Sequence, residues 1–327
     1  MLKHVTCWLV LLLVSASGSA RPRQAAAKPA PVQKVIIDTD IGDDIDDAFA
    51  LALALRSPEL QILGITTTFG DTAERAKLVD RFLAATGEAN IPVAAGIPTP
   101  PKTAFTQRAY AEGGDHSKSI SHPKAVDFLL SELRRYPGEI TLIAIGPLGN
   151  VGAVIEKDPK TFRQLKRVVM MGGSIERGYD ESPDSPSHTP DAEWNVVNSI
   201  PAAQKLFASG VPIFMMPLDA TQLRLDEGKR AYLFGQGTAV TDQLTLLYRE
   251  WGRQTPILYD PMTIAFALSP GLCPVAAMHI QVDEKGFTRV TAGLPNASVC
   301  LHSDPEAFFD FYLGRVTRHQ DPASRVH

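Results

Sequence analysis

The sequence predicts an α/β fold, a mostly parallel sheet with helices on both faces, and three observations predict it. Short runs carrying apolar, β-branched residues alternate with helical segments from residue 32 onward, and that rhythm builds parallel sheets through right-handed crossovers. The length left after an N-terminal leader, about 295 residues, suits one large domain better than two small ones. A dense aspartate cluster closes the first strand, at the edge where open parallel sheets bind ligands.

The elements follow in chain order. Residues 1–20 read as a cleavable signal peptide: Lys3 and His4 lead, 8–14 are apolar, and Gly18, Ser19 and Ala20 supply small residues at the end. The apolar run is shorter than the roughly 20 residues that span a bilayer. Residues 21–31, rich in Ala, Pro, Lys and Arg, read as a linker, and 32–320 as the catalytic domain. No later segment is long and apolar enough to cross a membrane, so the expectation is a secreted or periplasmic protein, free of the membrane after cleavage.

Residues 32–37 form the first expected strand and 43–56 the first helix, whose 48–55 portion is apolar on every side and so packs inside. Ser57-Pro58 stops it. Strands follow at 60–66, 91–94, 139–145, 166–171 and 211–215, with two more near 277–282 and 298–301. Helices are expected at 71–85, 125–136, 151–157, 201–209, 238–253, 262–268 and 305–318. Two long polar segments, 97–122 and 174–191, interrupt the rhythm; loops of that length are usually lids or disordered. The formal charge of −4 gives no reason to expect a nucleic-acid partner. Of three cysteines, Cys7 leaves with the leader; Cys273 and Cys300 are open to pairing or to burial as free thiols.

Six of the ten residues 38–47 are aspartate. Helix capping accounts for one or two of them, because orphan N–H groups favour an anion at a helix start. It does not account for six. Crowded carboxylates raise one another's pKa, a bound cation relieves the repulsion, and hard oxygen ligands favour Ca²⁺ or Mg²⁺. An EF-hand is excluded: counted from Asp38, the sixth position is Asp43 where Gly is needed, and the twelfth is Phe49 where Glu is needed. A haloacid dehalogenase-like phosphatase would use Asp38 as nucleophile and Asp40 as acid. Gly42 stands where that family usually has Thr or Val, and its later Lys and acidic pair have no convincing place here.

An ordered set of motifs covers most of 32–268: Asp38-Thr-Asp-Ile-Gly, Ile45-Asp-Asp-Ala48, Gly64-Ile-Thr-Thr-Thr-Phe-Gly70, Ala95-Gly-Ile-Pro98, Ile145-Gly-Pro-Leu-Gly-Asn150, Val168-Val-Met-Met-Gly-Gly173, Glu193-Trp-Asn195 and Asp260-Pro261. The set resembles the inosine-uridine preferring nucleoside hydrolase family. The resemblance implies the Rossmann-like nucleoside hydrolase fold and hydrolysis of ribonucleosides at the N-glycosidic bond. It implies Ca²⁺ held by Asp40, Asp47, Asp260 and the Ile145 carbonyl, with Asp38 as support. Asp46 resembles the general base that acts on a Ca²⁺-activated water. Glu193 and Asn195 resemble ribose contacts, and Met171 lies where the family packs against the ribose. Family members commonly form dimers or tetramers. The chemistry suits such a layout, since C–N cleavage builds positive charge on the sugar and carboxylates stabilise it.

Taken singly, several of these signals have plainer readings: Asp260-Pro261 is a helix start, Glu193 and Asn195 are caps or loop polar groups, and Met171 is core. The chain also departs from the family pattern. Asp43 and Asp44 lengthen the first motif by two residues, which makes Asp44 a competitor for the base. Asp71 stands where many members have Asn, keeping the capacity to accept from ribose hydroxyls. Tyr259 stands where several have His, so it can donate to the departing base or stack on it. His116 and His122 are leaving-group candidates or plain loop histidines, and 174–191 lacks a clear counterpart of the family's ribose-contacting Asn. Three alternatives stay open beside the nucleoside hydrolase: a hydrolase of another N-ribosyl compound, the phosphatase, and a non-catalytic Ca²⁺ or ribose-binding protein.

Overall fold

Strand β1 (Gln33–Thr39) passes from half-buried Gln33 and Lys34 to fully buried Val35, Ile36 and Ile37, as an inner strand must. In the computed structural model, which describes residues 32–113, 121–180 and 185–318, β1 pairs in parallel with β2 (Leu60–Thr67) on one side and β4 (Thr141–Ala144) on the other. The expected leader, the linker and His116 lie outside the described residues. Strands β3 (Val93–Ala95), β5 (Arg167–Met171), β6 (Ile213–Met216), β7 (Val275–Met278) and β10 (Ala297–Cys300) complete a sheet of order β3-β2-β1-β4-β5-β6-β10-β7. All pairings are parallel except β10 with β7, which is antiparallel at one edge.

Period-two alternation sends Val35 and Ile37 to one apolar core and Ile36 to the other, so both faces of the sheet are covered. Helices α1 (Asp46–Leu55), α2 (Thr72–Thr86), α11 (Ala239–Trp251), α12 (Pro261–Leu268) and α13 (Pro305–Val316) supply one core; α4 (Ala125–Arg135), α5 (Gly149–Lys157) and α8 (Ile200–Phe207) supply the other. Helix α1 buries nine residues in succession, Asp46 to Ala54, as its all-round apolar sequence requires. It packs against α12, which is equally apolar. The connections after β1 and β4 leave in opposite directions along the sheet, and the cleft between their carboxyl ends is the switch point where ligands of such sheets bind.

The structure refines the sequence reading in three places. Helix α1 begins at Asp46, not Asp43, because Gly42 turns the chain at φ 126° and the Asp44 carboxylate takes the N–H of Ile45. Short helices α3 (Arg108–Glu112), α6 (Pro159–Phe162), α7 (Trp194–Val197), α9 (Leu218–Thr221) and α10 (Glu227–Phe234) fall in stretches read as loop or left unassigned. The strand expected near 277–282 divides at His279 into β7 and β8 (Ile280–Val282), and β8 pairs with β9 (Thr288–Val290) in a separate antiparallel ribbon. Cys273 and Cys300 are bonded, with Cα atoms 5.6 Å apart. Among the described residues no helix is long and apolar enough to cross a membrane.

Candidate active site

The floor of the site is built where β1 ends. Asp38 points into the protein, where its Oδ1 accepts from Thr66 Oγ1 at 2.5 Å and Asn150 Nδ2 at 2.8 Å. Its Oδ2 is buried without a partner among the described residues. Thr39 Oγ1 donates to Asp47 Oδ1 at 2.5 Å. The next turn is held by Arg75 of α2, 2 % exposed, which donates to the carbonyls of Phe69, Asp40 and Ile41 and pairs with Asp43 Oδ2 at 2.9 Å. Phe69 sits at φ 61°, unusual for a residue with a side chain, and its carbonyl accepts from Arg75 Nε at 2.8 Å. Gly146 passes directly over Asp40: a Cβ there would lie 2.8 Å from the Asp40 amide and from its Oδ1.

Packing of α1 on α12 brings the first-turn pair Asp46 and Asp47 against Asp260. Carboxylate oxygens of the three lie within 4.8 Å of one another, and all three residues are buried. Asp260 occupies the N-cap position of α12 yet makes no capping hydrogen bond, so its carboxylate is free to face the cluster. The sequence reading placed Asp40, Asp47 and Asp260 together with Asp46 beside them. The structure gathers Asp46 with Asp47 and Asp260 and sets Asp40 next to that triangle, close enough to raise all three electrostatically.

Burial, and then mutual repulsion, pushes Asp46, Asp47 and Asp260 well above the ordinary carboxylate range. Burial raises Asp40 to about 7 against the pull of Arg75, and raises Asp38 to about 6 against its two hydrogen bonds. Four buried carboxylates converge on one space, and the Arg75 guanidinium beneath them is engaged mainly with backbone carbonyls. That donor set fits a hard divalent cation, whose charge would offset the repulsion.

Above this floor opens a cavity of about 480 Å³, inside the range of roughly 300–1,000 Å³ typical of small-molecule sites. Ile145, Met171, Glu193, Asn195 and Tyr259 line it, as do Asp40, Asp43, Asp44, Asp46, Asp47 and Asp260. Asn195 Nδ2 lies 3.4 Å from the Ile145 carbonyl and 3.2 Å from that of Met171, so one amide bridges the ends of β4 and β5. Glu193 caps α7: its carboxylate accepts from Gly173, Asn195 and Val196 backbone N–H groups at 2.8, 2.9 and 3.1 Å. Burial still lifts it to about 7. Two expected residues lie elsewhere. Asp71 is exposed and caps α2 through Glu74 N at 3.1 Å, and His122 pairs with Asp80 at 2.7 Å; neither lines the cavity.

Five residues that line the cavity carried no signal in the sequence reading: Thr103, Ala104, Thr106, Tyr179 and Arg253. Tyr179 belongs to the 174–191 segment, which is tightly organised where it is described. Buried Asp219 accepts from three successive backbone N–H groups, those of Ile175, Glu176 and Arg177. Asp191 accepts from Tyr179 N, and Gln222 bridges Gly178 and Asp180. Tyr179 then meets Tyr259 edge to face at 6.2 Å, and its hydroxyl oxygen accepts from Trp194 N at 3.0 Å. Only Asp191 and Tyr179 being neighbours in space could have shown this, and they are 12 residues apart in a polar stretch without periodicity.

Comparison with known proteins follows the same line. A model of the inosine-uridine preferring nucleoside hydrolase family matches residues 35–310. Pyrimidine-specific ribonucleoside hydrolase RihA of Citrobacter koseri is 30 % identical over 313 residues, covering 86 % of this chain and 97 % of that protein. Among solved structures, the plant nucleoside hydrolase PpNRh1 superposes with a TM-score of 0.75 at 26 % identity, covering 88 % of this chain and 99 % of that one. The purine-preferring ribonucleoside hydrolase of Gardnerella vaginalis shares the fold, with a TM-score of 0.73 at 23 % identity and coverage of 87 % and 98 %.

Proposed function

Because the chain belongs to the inosine-uridine preferring nucleoside hydrolase family, and so hydrolyses the N-glycosidic bond of nucleosides, we propose that it does so with a Ca²⁺ ion held by Asp46, Asp47, Asp260 and the Ile145 carbonyl. The observation that carries the metal assignment is the convergence of three buried carboxylates from two helices. Such an ion, when bound, supplies charge for the cluster, acidity for a water and a template for the ribose diol.

The chain's own residues do the rest. Asp40 stands beside the carboxylate triangle and faces the cavity, which suits it to take the proton of the attacking water; Asp46, drawn into the triangle, becomes a ligand in this reading. The water oxygen bonds to C1′ of the ribose, and the C–N electron pair leaves with the base. Asp40 and its neighbours stabilise the positive charge that builds on the sugar. Asn195, Met171 and Glu193 shape the wall against which the ribose lies, and Tyr259 offers a ring for the base. Asp71 has no place in this scheme.

The test is release of free base from uridine, cytidine, inosine and adenosine, with chelator and with added Ca²⁺. The RihA name puts the two pyrimidine nucleosides first. Loss of turnover in Asp40→Asn with Ca²⁺ affinity retained, against loss of affinity in Asp46→Asn, is the expected pair of results; the reverse pair would return the base's role to Asp46. Secretion or a periplasmic location is part of the proposal, supported by the leader pattern and by a bonded cysteine pair, which oxidising compartments favour. Cell fractionation tests it, and sedimentation tests self-association as a dimer or tetramer.

A further inference from the structure

The cavity is polarised. Seven carboxylate residues line it, and among the described residues Arg253 is its only cation. The position of Arg253 follows from the end of α11. Gly252 adopts a left-handed conformation, φ 74°, that stops the helix after Trp251 and turns the chain. The Arg253 guanidinium then lies over the Trp251 ring, its carbon 5.7 Å from the ring centroid. The guanidinium lines the same cavity as Asp44. Among the described residues it donates no hydrogen bond, although an Arg carries five donors. Its exposure leaves those donors available to whatever enters.

C–N cleavage separates charge. The sugar becomes positive while the electron pair of the breaking bond moves onto the base nitrogen. Seven acidic side chains suit the first partner and disfavour the second. We propose that Arg253 is a leaving-group residue, a fixed cation that hydrogen-bonds the acceptor edge of the nucleobase and stabilises the negative charge it carries away. This deepens the nucleoside hydrolase reading and rests on it. Arg253 transfers no proton, since a guanidinium does not deprotonate in proteins. The water's OH joins C1′, its proton passes to the carboxylate base, and the departing base takes a proton back from solvent. The ligand chemistry is therefore a purine or pyrimidine with carbonyl or ring-nitrogen acceptors facing Arg253.

A buried donor aimed at developing charge is worth a factor of about 10²–10³ in turnover; an exposed one at a cavity rim is worth less, on the order of 10–100. The experiment compares uridine with p-nitrophenyl β-ribofuranoside, whose leaving group departs as a stable anion and needs little help. In Arg253→Met the turnover of p-nitrophenyl riboside relative to uridine is expected to rise 10–100-fold over the wild-type ratio. Arg253→Lys, which keeps the charge but loses the planar fork, is expected to fall between. An unchanged ratio, whether both substrates slow equally or neither slows, overturns the proposal while leaving the hydrolase reading intact. Wild-type protein that releases neither base nor p-nitrophenol overturns the hydrolase reading itself. Thermal melting of each variant, expected to match wild type, separates a lost interaction from a misfolded chain.

Discussion

Without the proposed metal, this fold is expected to become less stable as pH rises through the acid range. The carboxyl of Asp38 is raised from 3.8 to about 6 by burial, with one oxygen unpaired. Between those two values the folded chain still holds a proton that the unfolded chain has released, so unfolding is favoured by raising the pH. Stability from this group is fully present below about 3.8 and lost as pH passes 6. The full loss is about 3 kcal/mol, and roughly half of it falls between about pH 5 and pH 7.5. Asp40, raised to about 7, extends the loss in the same direction. Carboxylates held low by ion pairs, such as Glu59 against Arg315, act only below about pH 4.5 and do not interfere. The assay is urea unfolding followed by tryptophan fluorescence in chelator, at about pH 5 and about pH 7.5, for wild type and Asp38→Asn. The pH-dependent loss should be smaller in Asp38→Asn by roughly 1–2 kcal/mol. Any orphaned amide in that variant contributes equally at both pH values. Saturating Ca²⁺ should abolish most of the loss in wild type. Identical pH slopes in the two proteins, or chelated wild type that is more stable at the higher pH, would refute the reasoning.

Other perturbations have equally definite outcomes. Arg75→Met leaves the carbonyls of Asp40, Ile41 and Phe69 without this donor and Asp43 without its countercharge, and should destabilise by about 3–5 kcal/mol in denaturant titration. Gly146→Ala drives a methyl against the Asp40 amide and carboxylate and should cut turnover tenfold or more, by about 1 Å of misplacement, which single-turnover kinetics will read. Replacing Cys273 and Cys300 by Ser opens a loop of 27 residues and should lower stability by about 3.5 kcal/mol, seen as a lower urea midpoint. Asp219→Ala frees three backbone N–H groups that set the Tyr179 loop; KM for nucleosides should rise, with kcat less affected.

What was legible in the sequence was what short-range pattern and charge density encode. The β1 and α1 segments announce themselves by composition, and six aspartates in ten residues demand a purpose beyond capping. The ordered motifs then place Asp47, Ile145, Asn195 and Asp260 around one cavity. Other features depend on distance in space. Glu193 is spent largely on capping α7, which fixes its carboxylate more firmly than a ribose contact alone would. Asp71 sits at an exposed helix start, where its capping propensity outweighs any pull toward the site. Arg75 reads in the sequence as one more charge on an amphipathic helix; only the folded turn at 40–43 makes it a bolt between three carbonyls. Arg253 reads as a residue after a helix-ending glycine, and nothing local shows that it overhangs the same space as Asp46.

The two helices that supply the carboxylate triangle are far apart along the polypeptide, since 214 positions separate Asp46 from Asp260. The proposed ion seat, divided in this way, cannot form in a nascent chain that has not yet reached Asp260, however well its first half has folded. Under the proposed metal scheme, ion capture would draw the folding equilibrium only toward molecules in which α12 has docked on α1, and a molecule without it is left with Asp46 and Asp47 but no third wall.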